Sequence, residues 1–492
     1  VASSALKHIR NYASAGVLAA LAGIITFPLL TRNLSVAEYG ILGLITSSLT
    51  LFVAIGKLGM QHAVIRFYSQ IKNKNLGFDL QQMNSTVSLV FFVFASVTAA
   101  LWLFAGFQFL PRLSEFENIS GLFFIASGIV FLRLLGSGIM NFLRAQQRSA
   151  VVGSTQILTR YLYLAIVLAI MISGQVNVAF VLLAMVVAEV IGVAFAAKKY
   201  WPDFHFNWSQ VSAPLAKAML HYGFPLMILE SLGLVMRLSD RYIIQGLLGE
   251  NELGMYSASY NLTAYLDLIL LAALVQAVKP YYMQLWEGEG ADRTKAFLSK
   301  GLHTYLVFGL PVIALFSLVS PHLLNFLASP KYSPGTIIIP FVAFSFLLDG
   351  AILFLSAGLH IKKNTKALMF WGGLATVMNL ALNFLVVPVY GILGAAAVTI
   401  VSYLVFMLGV SYRAFEFLSF EIKVRVPLLS AVWSLMVYAL LFKLDFGGDF
   451  TSLFIKGVLG SVLLITGIVL IDARAREWVV DRLRQPNAGA VK

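Results

Sequence analysis

Residues 34–60 read LSVAEYGILGLITSSLTLFVAIGKLGM. A turn-forming segment, Leu34 to Gly40, leads into a nearly uncharged run that ends on Lys57. That run is close to the roughly 20 residues a helix needs to cross the hydrocarbon of a bilayer. Working outward, the chain holds fourteen such runs, at about 13–31, 41–60, 83–105, 121–142, 151–173, 176–197, 219–247, 254–278, 301–320, 336–358, 366–388, 391–412, 427–442 and 453–471. The seventh is long and broken by charges, and the thirteenth is short. Strand-length segments of alternating polarity, the mark of a membrane barrel, do not recur. The composition agrees: 59% of residues are hydrophobic and 12% are charged, against about 25% charged in a soluble domain. The expected fold class is an all-α polytopic membrane protein with about fourteen transmembrane helices.

The 35 lysines and arginines fall mostly in every second gap between these runs. With the N-terminus placed inside, roughly 25 cations lie on the inner side, among them Lys7, Arg66, Arg144, Lys198, Lys279, Lys362 and the set from Arg474 to Lys492. About four, namely Arg32, Arg112, Lys331 and Lys443, lie on the outer side. The positive-inside rule then puts both termini in the cytoplasm. The net charge of +13 follows from this bias and calls for no nucleic-acid partner. The opening residues VASSALKHIRNYASAG carry no cleavable signal pattern and read as a short amphipathic helix on the cytoplasmic face.

No gap is long enough for a catalytic domain; outer gaps reach about 15 residues and inner ones roughly 20. No phosphate loop, His-Glu-x-x-His or Asp-x-Asp pattern occurs. With zero cysteines, thiol catalysis and thiol-ligated metals are excluded. The expectation is a transporter, not an enzyme, with no metal and no cofactor. A membrane enzyme of glycan assembly is the reading these short loops oppose.

The pentapeptide Tyr39-Gly40-Ile41-Leu42-Gly43 recurs as Tyr390-Gly391-Ile392-Leu393-Gly394, and Leu34–Gly40 parallels Leu248–Gly254. All open even-numbered spans just after an outer turn, where glycine allows a sharp turn or close packing. Spans 1–6 and 7–12 therefore read as a parallel repeat, with spans 13 and 14 appended. The expected divisions are an N-lobe at 1–197, an aromatic and basic linker at 198–217, a C-lobe at 218–412, and a region with the last two spans and the tail at 413–492.

Pro28 to Gly40, Lys57 to Arg66, Ser239 to Ser257 and Asn379 to Thr399, in this order, resemble the polysaccharide transporter family. These are the Wzx-type flippases of the multidrug/oligosaccharidyl-lipid/polysaccharide exporter superfamily. The resemblance covers roughly residues 5–415. It implies two six-helix lobes around a central cavity that opens alternately inward and outward. It implies an oligosaccharide linked through pyrophosphate to undecaprenol, such as an O-antigen (lipopolysaccharide), capsule or exopolysaccharide repeat unit. It also implies location in a bacterial cytoplasmic membrane, contact with membrane lipids, and work beside polysaccharide polymerase and assembly proteins. Relatives that move peptidoglycan or teichoic precursors, and cation-coupled multidrug exporters of the same superfamily, remain open alternatives.

Six cations fall inside spans: Lys57, Arg133, Arg160, Arg237, Arg241 and Lys456. Each costs about 2.5–3.5 kcal/mol on insertion scales, so each should face a cavity or a partner. Lys456 is near the outer end and is expected to snorkel as a structural group. Lys57 is near the inner end and suits either snorkelling or a cavity mouth. Arg133 and Arg160 lie deeper and could bind a pyrophosphate, whose paired oxygens match a guanidinium. The competing reading is an ion pair, for instance of Arg133 with Glu189. Glu230, Arg237 and Arg241 form one charged stripe on span 7. Asp240 is expected to hold span 7 to span 8. Glu189, Glu230, Asp267 and Asp349 are candidates for proton or sodium coupling. Asn379 and Asn383 are expected to join helices.

Overall fold

The computed structural model describes residues 2–108, 116, 118–270, 272–473 and 476–477. Arg112, Arg474 and the cations beyond 477 lie outside the described residues. The described chain is helical throughout: α1 Ala2–Asn33, α2 Val36–Gly56, α3 Met60–Lys72, α4 Leu80–Gln108, α5 Ile119–Ala145, α6 Ser149–Ile172, α7 Val178–Tyr200, α8 Ala213–Leu248, α9 Glu250–Leu270, α10 Ala272–Gly288, α11 Gly290–Leu327, α12 Ile339–Leu355, α13 Ala357–Ile361, α14 Thr365–Phe415, α15 Arg425–Phe442 and α16 Asp449–Ile471. Among the described residues, twelve helical runs are long and apolar enough to cross a membrane. Two expected spans, 366–388 and 391–412, are merged in the 51 residues of α14. Gly391 breaks that run with φ 60° and ψ −146°, a backbone only glycine adopts readily. Asn379 donates to Ser402 across the two arms (3.2 Å) and so does join helices, whereas Asn383 donates to Asn379 one turn back on the same arm. The expected span 254–278 falls on α9 and α10, whose junction at residue 271 is not described. The chain is a multi-pass membrane protein.

Two compact units divide the chain, Val1–Ser257 and Ala258–Lys492, and the division falls inside α9. In the first unit, the start of the stretch 34–60 sets the entry to α2. Ser35 caps the helix, its hydroxyl accepting from the Glu38 amide (3.1 Å) while the Glu38 carboxylate accepts from the Ser35 amide (2.8 Å). This reciprocal box satisfies two otherwise orphaned donors. Behind it, Gly40 packs against the start of α9. A Cβ at Gly40 would meet the Glu250 carbonyl and lie 2.8 Å from the Gly254 amide nitrogen, and one at Gly254 would meet the Val36 carbonyl. The parallel between Leu34–Gly40 and Leu248–Gly254 is therefore a reciprocal backbone contact between repeated segments.

The apolar run of α2 continues into α3, but the helix breaks at Lys57–Gly59. Gly59 adopts φ 76° and packs directly on Gly223 of α8. A core of Met60, Phe67, Phe91, Phe142, Tyr200 and Met219 closes the unit around α3, α4, α5, α7 and α8. The linker after α7 is tied to three successive residues of α4. Asn84 donates to the Asp203 carbonyl (3.1 Å), Ser85 accepts from the Asn207 amide (2.9 Å) and Thr86 from the Ser212 amide (2.9 Å). Trp201 and Trp208 stay exposed, as side chains at a membrane interface do.

In the second unit, Tyr282, Leu298, Tyr305, Leu347 and Phe354 form the main core of α10, α11 and α12. The last two helices pack on α11. Ser430 donates to the Val307 carbonyl (3.0 Å), and Leu318, Val437, Leu441 and Leu464 make a separate cluster.

Adding a methyl at Gly254 forces backbone against backbone, whereas Gly233 has no atom within 4 Å of a built Cβ. Gly254→Ala is expected to cost about 1–3 kcal/mol by overpacking, and Gly233→Ala to cost nothing of that kind. Thermal unfolding of the two purified variants in one detergent checks the difference.

Candidate functional site

A cavity of about 530 Å³ lies inside the first unit, walled by α1, α2, α5, α6 and α7. Lys57, Arg133, Arg144, Arg160 and Glu189 line it. Each reaches it for a local reason. Lys57 follows the last turn of α2, where the break before Gly59 turns the chain. Arg133 and Arg144 lie three turns apart on α5, and Arg160 on α6 is accompanied by Tyr163. Glu189 comes from α7, and small residues let these helices approach: a Cβ at Gly136 would lie 2.9 Å from Val193, and one at Gly192 would strike the Thr159 hydroxyl.

Arg133 donates through Nε to Glu189 Oε1 at 2.7 Å. The two side chains are 25% and 19% exposed, so this is a partly shielded pair bordering the cavity. Arg133 is therefore ion-paired with Glu189 and also lines the cavity. With four cations against one carboxylate, the cavity favours an anion. Guanidinium forks and an ammonium are the groups that hold phosphate oxygens.

Arg237 and Arg241 are on α8 and do not line this cavity. Arg241 is buried at 3% exposed, donates to the Arg237 carbonyl (3.3 Å) and lies 6.0 Å from the Tyr256 ring. Asp240, fully buried, accepts from the Tyr256 hydroxyl at 2.7 Å. That bond ties α8 to α9, the role expected of Asp240. Along the charged stripe of α8, burial increases from Glu230 to Arg241. Glu230 accepts from Gln61 (2.8 Å) and stands 3.5 Å from His62, with Lys57 in electrostatic range. Its side chain is 40% exposed, so it is not a deep carboxyl.

In the second unit, Asp267 on α9 and Asp349 on α12 both act electrostatically on Tyr305 of α11. The Tyr305 hydroxyl donates to the Leu347 carbonyl (3.2 Å) and occupies the space a Cβ at Gly350 would take.

In the sequence Arg144 stands in an inner gap, and a cation at a helix end is explained by topology alone. Its three-turn spacing from Arg133 was the available signal. Snorkelling of Lys456 does not occur. Lys456 is 4% exposed, and its ammonium is held by the His322 ring (3.1 Å) and the Phe442 carbonyl (3.2 Å). His322 in turn contacts Asp449 (2.9 Å). Partners on α11 and α15 offer this lysine what water would have offered.

Tyr256→Phe removes one donor to a fully buried carboxylate. It should lower stability by about 1 kcal/mol, in the range measured for single bonds between membrane helices, and the coupling between Tyr256→Phe and Asp240→Asn should be of the same size. Unfolding of the single and double variants, analysed as a cycle, checks this.

The family model described as polysaccharide biosynthesis protein matches residues 5–286. A curated relative, the uncharacterized membrane protein MJ1068 of Methanocaldococcus jannaschii, is 22% identical over 495 residues, covering 94% of this chain and 92% of that one. Among solved structures, the lipid II flippase MurJ in an inward closed conformation superposes with a TM-score of 0.77 at 15% identity, covering 95% of this chain and 99% of its own. An inward-facing multidrug resistance MATE family transporter of the MOP superfamily gives 0.66 at 14% identity, over 81% of this chain and 95% of that one. The outward-facing MATE conformation gives 0.59 at 13% identity, over 83% and 95%. These likenesses identify the fold, and the sequence match identifies the lineage: the chain belongs to the polysaccharide biosynthesis protein family, built on the fold shared by MurJ and the MATE transporters.

Proposed function

We propose that this chain is a flippase that carries an oligosaccharide linked through pyrophosphate to a polyprenol from the inner to the outer leaflet of a cytoplasmic membrane by alternating access. The observation that carries the reading is the cavity of the first unit, with Lys57, Arg133, Arg144 and Arg160 against the single carboxylate of Glu189. Cations so placed in a membrane protein are costly unless they serve an anion or a partner, and the cations that line this cavity outnumber its lining carboxylate four to one. Family membership supports a glycan as the cargo, and the pyrophosphate supplies the negative charge. Undecaprenol-linked repeat units of O-antigen, capsule or exopolysaccharide are the cargo this reading favours, with polymerase and assembly proteins as its partners. Lys57, Arg133 and Arg160 hold the phosphates in this reading, and Arg237 and Arg241 of α8, which do not line the cavity, take no part in it. The likeness to MurJ supports lipid-linked glycan more broadly, peptidoglycan or teichoic precursors included.

An inside-negative potential favours outward movement of such a headgroup by about 2.3 kcal/mol per charge per 100 mV. Proton or sodium exchange at Glu189, Glu230, Asp267 or Asp349 would add to it. The inner-side cations place both termini in the cytoplasm in this reading. A multidrug exporter taking cationic compounds is the rival, and the cationic lining opposes it.

Native mass spectrometry of the protein purified from glycan-producing cells tests the assignment. A bound pyrophosphate-linked glycolipid is expected, with occupancy falling about tenfold or more in Arg160→Gln, the size of one lost charge-assisted hydrogen bond. Preparations free of any such lipid, from cells that gain resistance to cationic drugs on expression, would support the exporter instead.

A further inference from the structure

Glu189 is the one carboxylate among the residues lining the cationic cavity. Its contact with Arg133 is a single hydrogen bond, from Nε to Oε1, although a guanidinium has five donors arranged for paired oxygens. A phosphate arriving beside Arg133 can take the guanidinium edge-on, and a carboxylate held by one bond is the weaker competitor. Glu189 cannot retreat as a charged group without cost, because helix contacts at Gly136 and Gly192 hold α5, α6 and α7 close on either side of it.

We propose that Glu189 is a resident counter-anion for Arg133, that the cargo's phosphate displaces it, and that Glu189 takes up a proton as it is displaced. This rests on the reading of the cavity as the phosphate site and adds to it a mechanism of coupling. When no cargo is bound, the carboxylate offsets part of the cavity's positive charge. When a phosphate dianion binds, two anions share one guanidinium, and the like charges favour protonation of the weaker ligand. The titratable groups that line the cavity with Glu189 are Arg133 and Arg144 on α5, Arg160 and Tyr163 on α6, and Lys57 from α2. All but the tyrosine are cations, so no second acid in the cavity competes for that proton. By reciprocity, anion affinity rises as pH falls.

Calorimetric titration of the purified full-length chain with inorganic pyrophosphate tests the proposal. Wild type, Glu189→Gln, Glu189→Asp and Arg160→Gln are compared from pH 8 to pH 5.5, in buffers of different ionisation heat. The ratio of variant to wild-type affinity cancels the ligand's own titration. Glu189→Gln is expected to bind about tenfold tighter than wild type at pH 8, the effect of removing one competing charge. That ratio should shrink toward one at the acid end, and wild type should take up more protons on binding than the variant. Should Glu189→Gln fail to fold, Glu189→Asp, which keeps the charge but withdraws it by one methylene, is expected to bind a few-fold tighter at pH 8. A ratio of one or less at every pH, with Arg160→Gln still weakening binding, overturns the counter-anion role and leaves the phosphate site standing. Absence of pyrophosphate binding in wild type and in both Glu189 variants overturns the site and the counter-anion together.

Discussion

An ionised side chain inside a membrane must have a partner, an aqueous cavity or both, because hydrocarbon offers it nothing. Much of this molecule's polar anatomy follows from that. Arg133 meets Glu189 at a cavity wall. Asp240 is covered by the Tyr256 hydroxyl. Lys456 is held by His322 and a backbone carbonyl. The first differs from the others in kind. Asp240 and Lys456 tie helices together, whereas Arg133 keeps company with three further cations around a cavity. Structural pairing explains a matched set of charges; an excess of one sign facing a shared space is what a site for the opposite sign requires.

Elsewhere in the first unit, backbone contacts at glycine set how neighbouring helices pack. Gly40 against Gly254, and Gly59 against Gly223, bring α2, α3, α8 and α9 closer than any side chain would permit, the usual means of packing helices where lipid is as apolar as the helix surface. The break at Gly59 ends α2 at Lys57 and so delivers that lysine to the cavity instead of to the next turn of a continuous helix.

Apolar run length and the alternation of cations made the class of molecule and most helix positions legible from residues alone, because both follow from bilayer thickness and charge placement. The turn at Gly391 and the paired asparagines of α14 were equally visible, since glycine and buried amides each have few uses in a membrane helix. The direction a side chain faces was not. Depth along a helix can be counted, but azimuth depends on neighbours that only tertiary packing names. Arg144 looked like one more inner-face cation and lines the cavity. Lys456 looked free to reach water and is buried, because His322, distant in sequence, lies beside it. The capping box at Ser35 and the short α3 are hidden for another reason: they are local details within a run whose hydropathy already accounts for it.

The central claim is that the cationic cavity serves transbilayer movement of a phosphate-linked glycolipid. It is tested most directly by reconstituting the protein in liposomes with a fluorescent prenyl-pyrophosphate oligosaccharide and timing the label's arrival at the opposite leaflet with a membrane-impermeant quencher. The account predicts transfer at least about tenfold faster than in protein-free liposomes, with most of that acceleration lost when Lys57 and Arg160 are both replaced by glutamine. Transfer no faster than in protein-free liposomes, or acceleration indifferent to those two side chains, would contradict it.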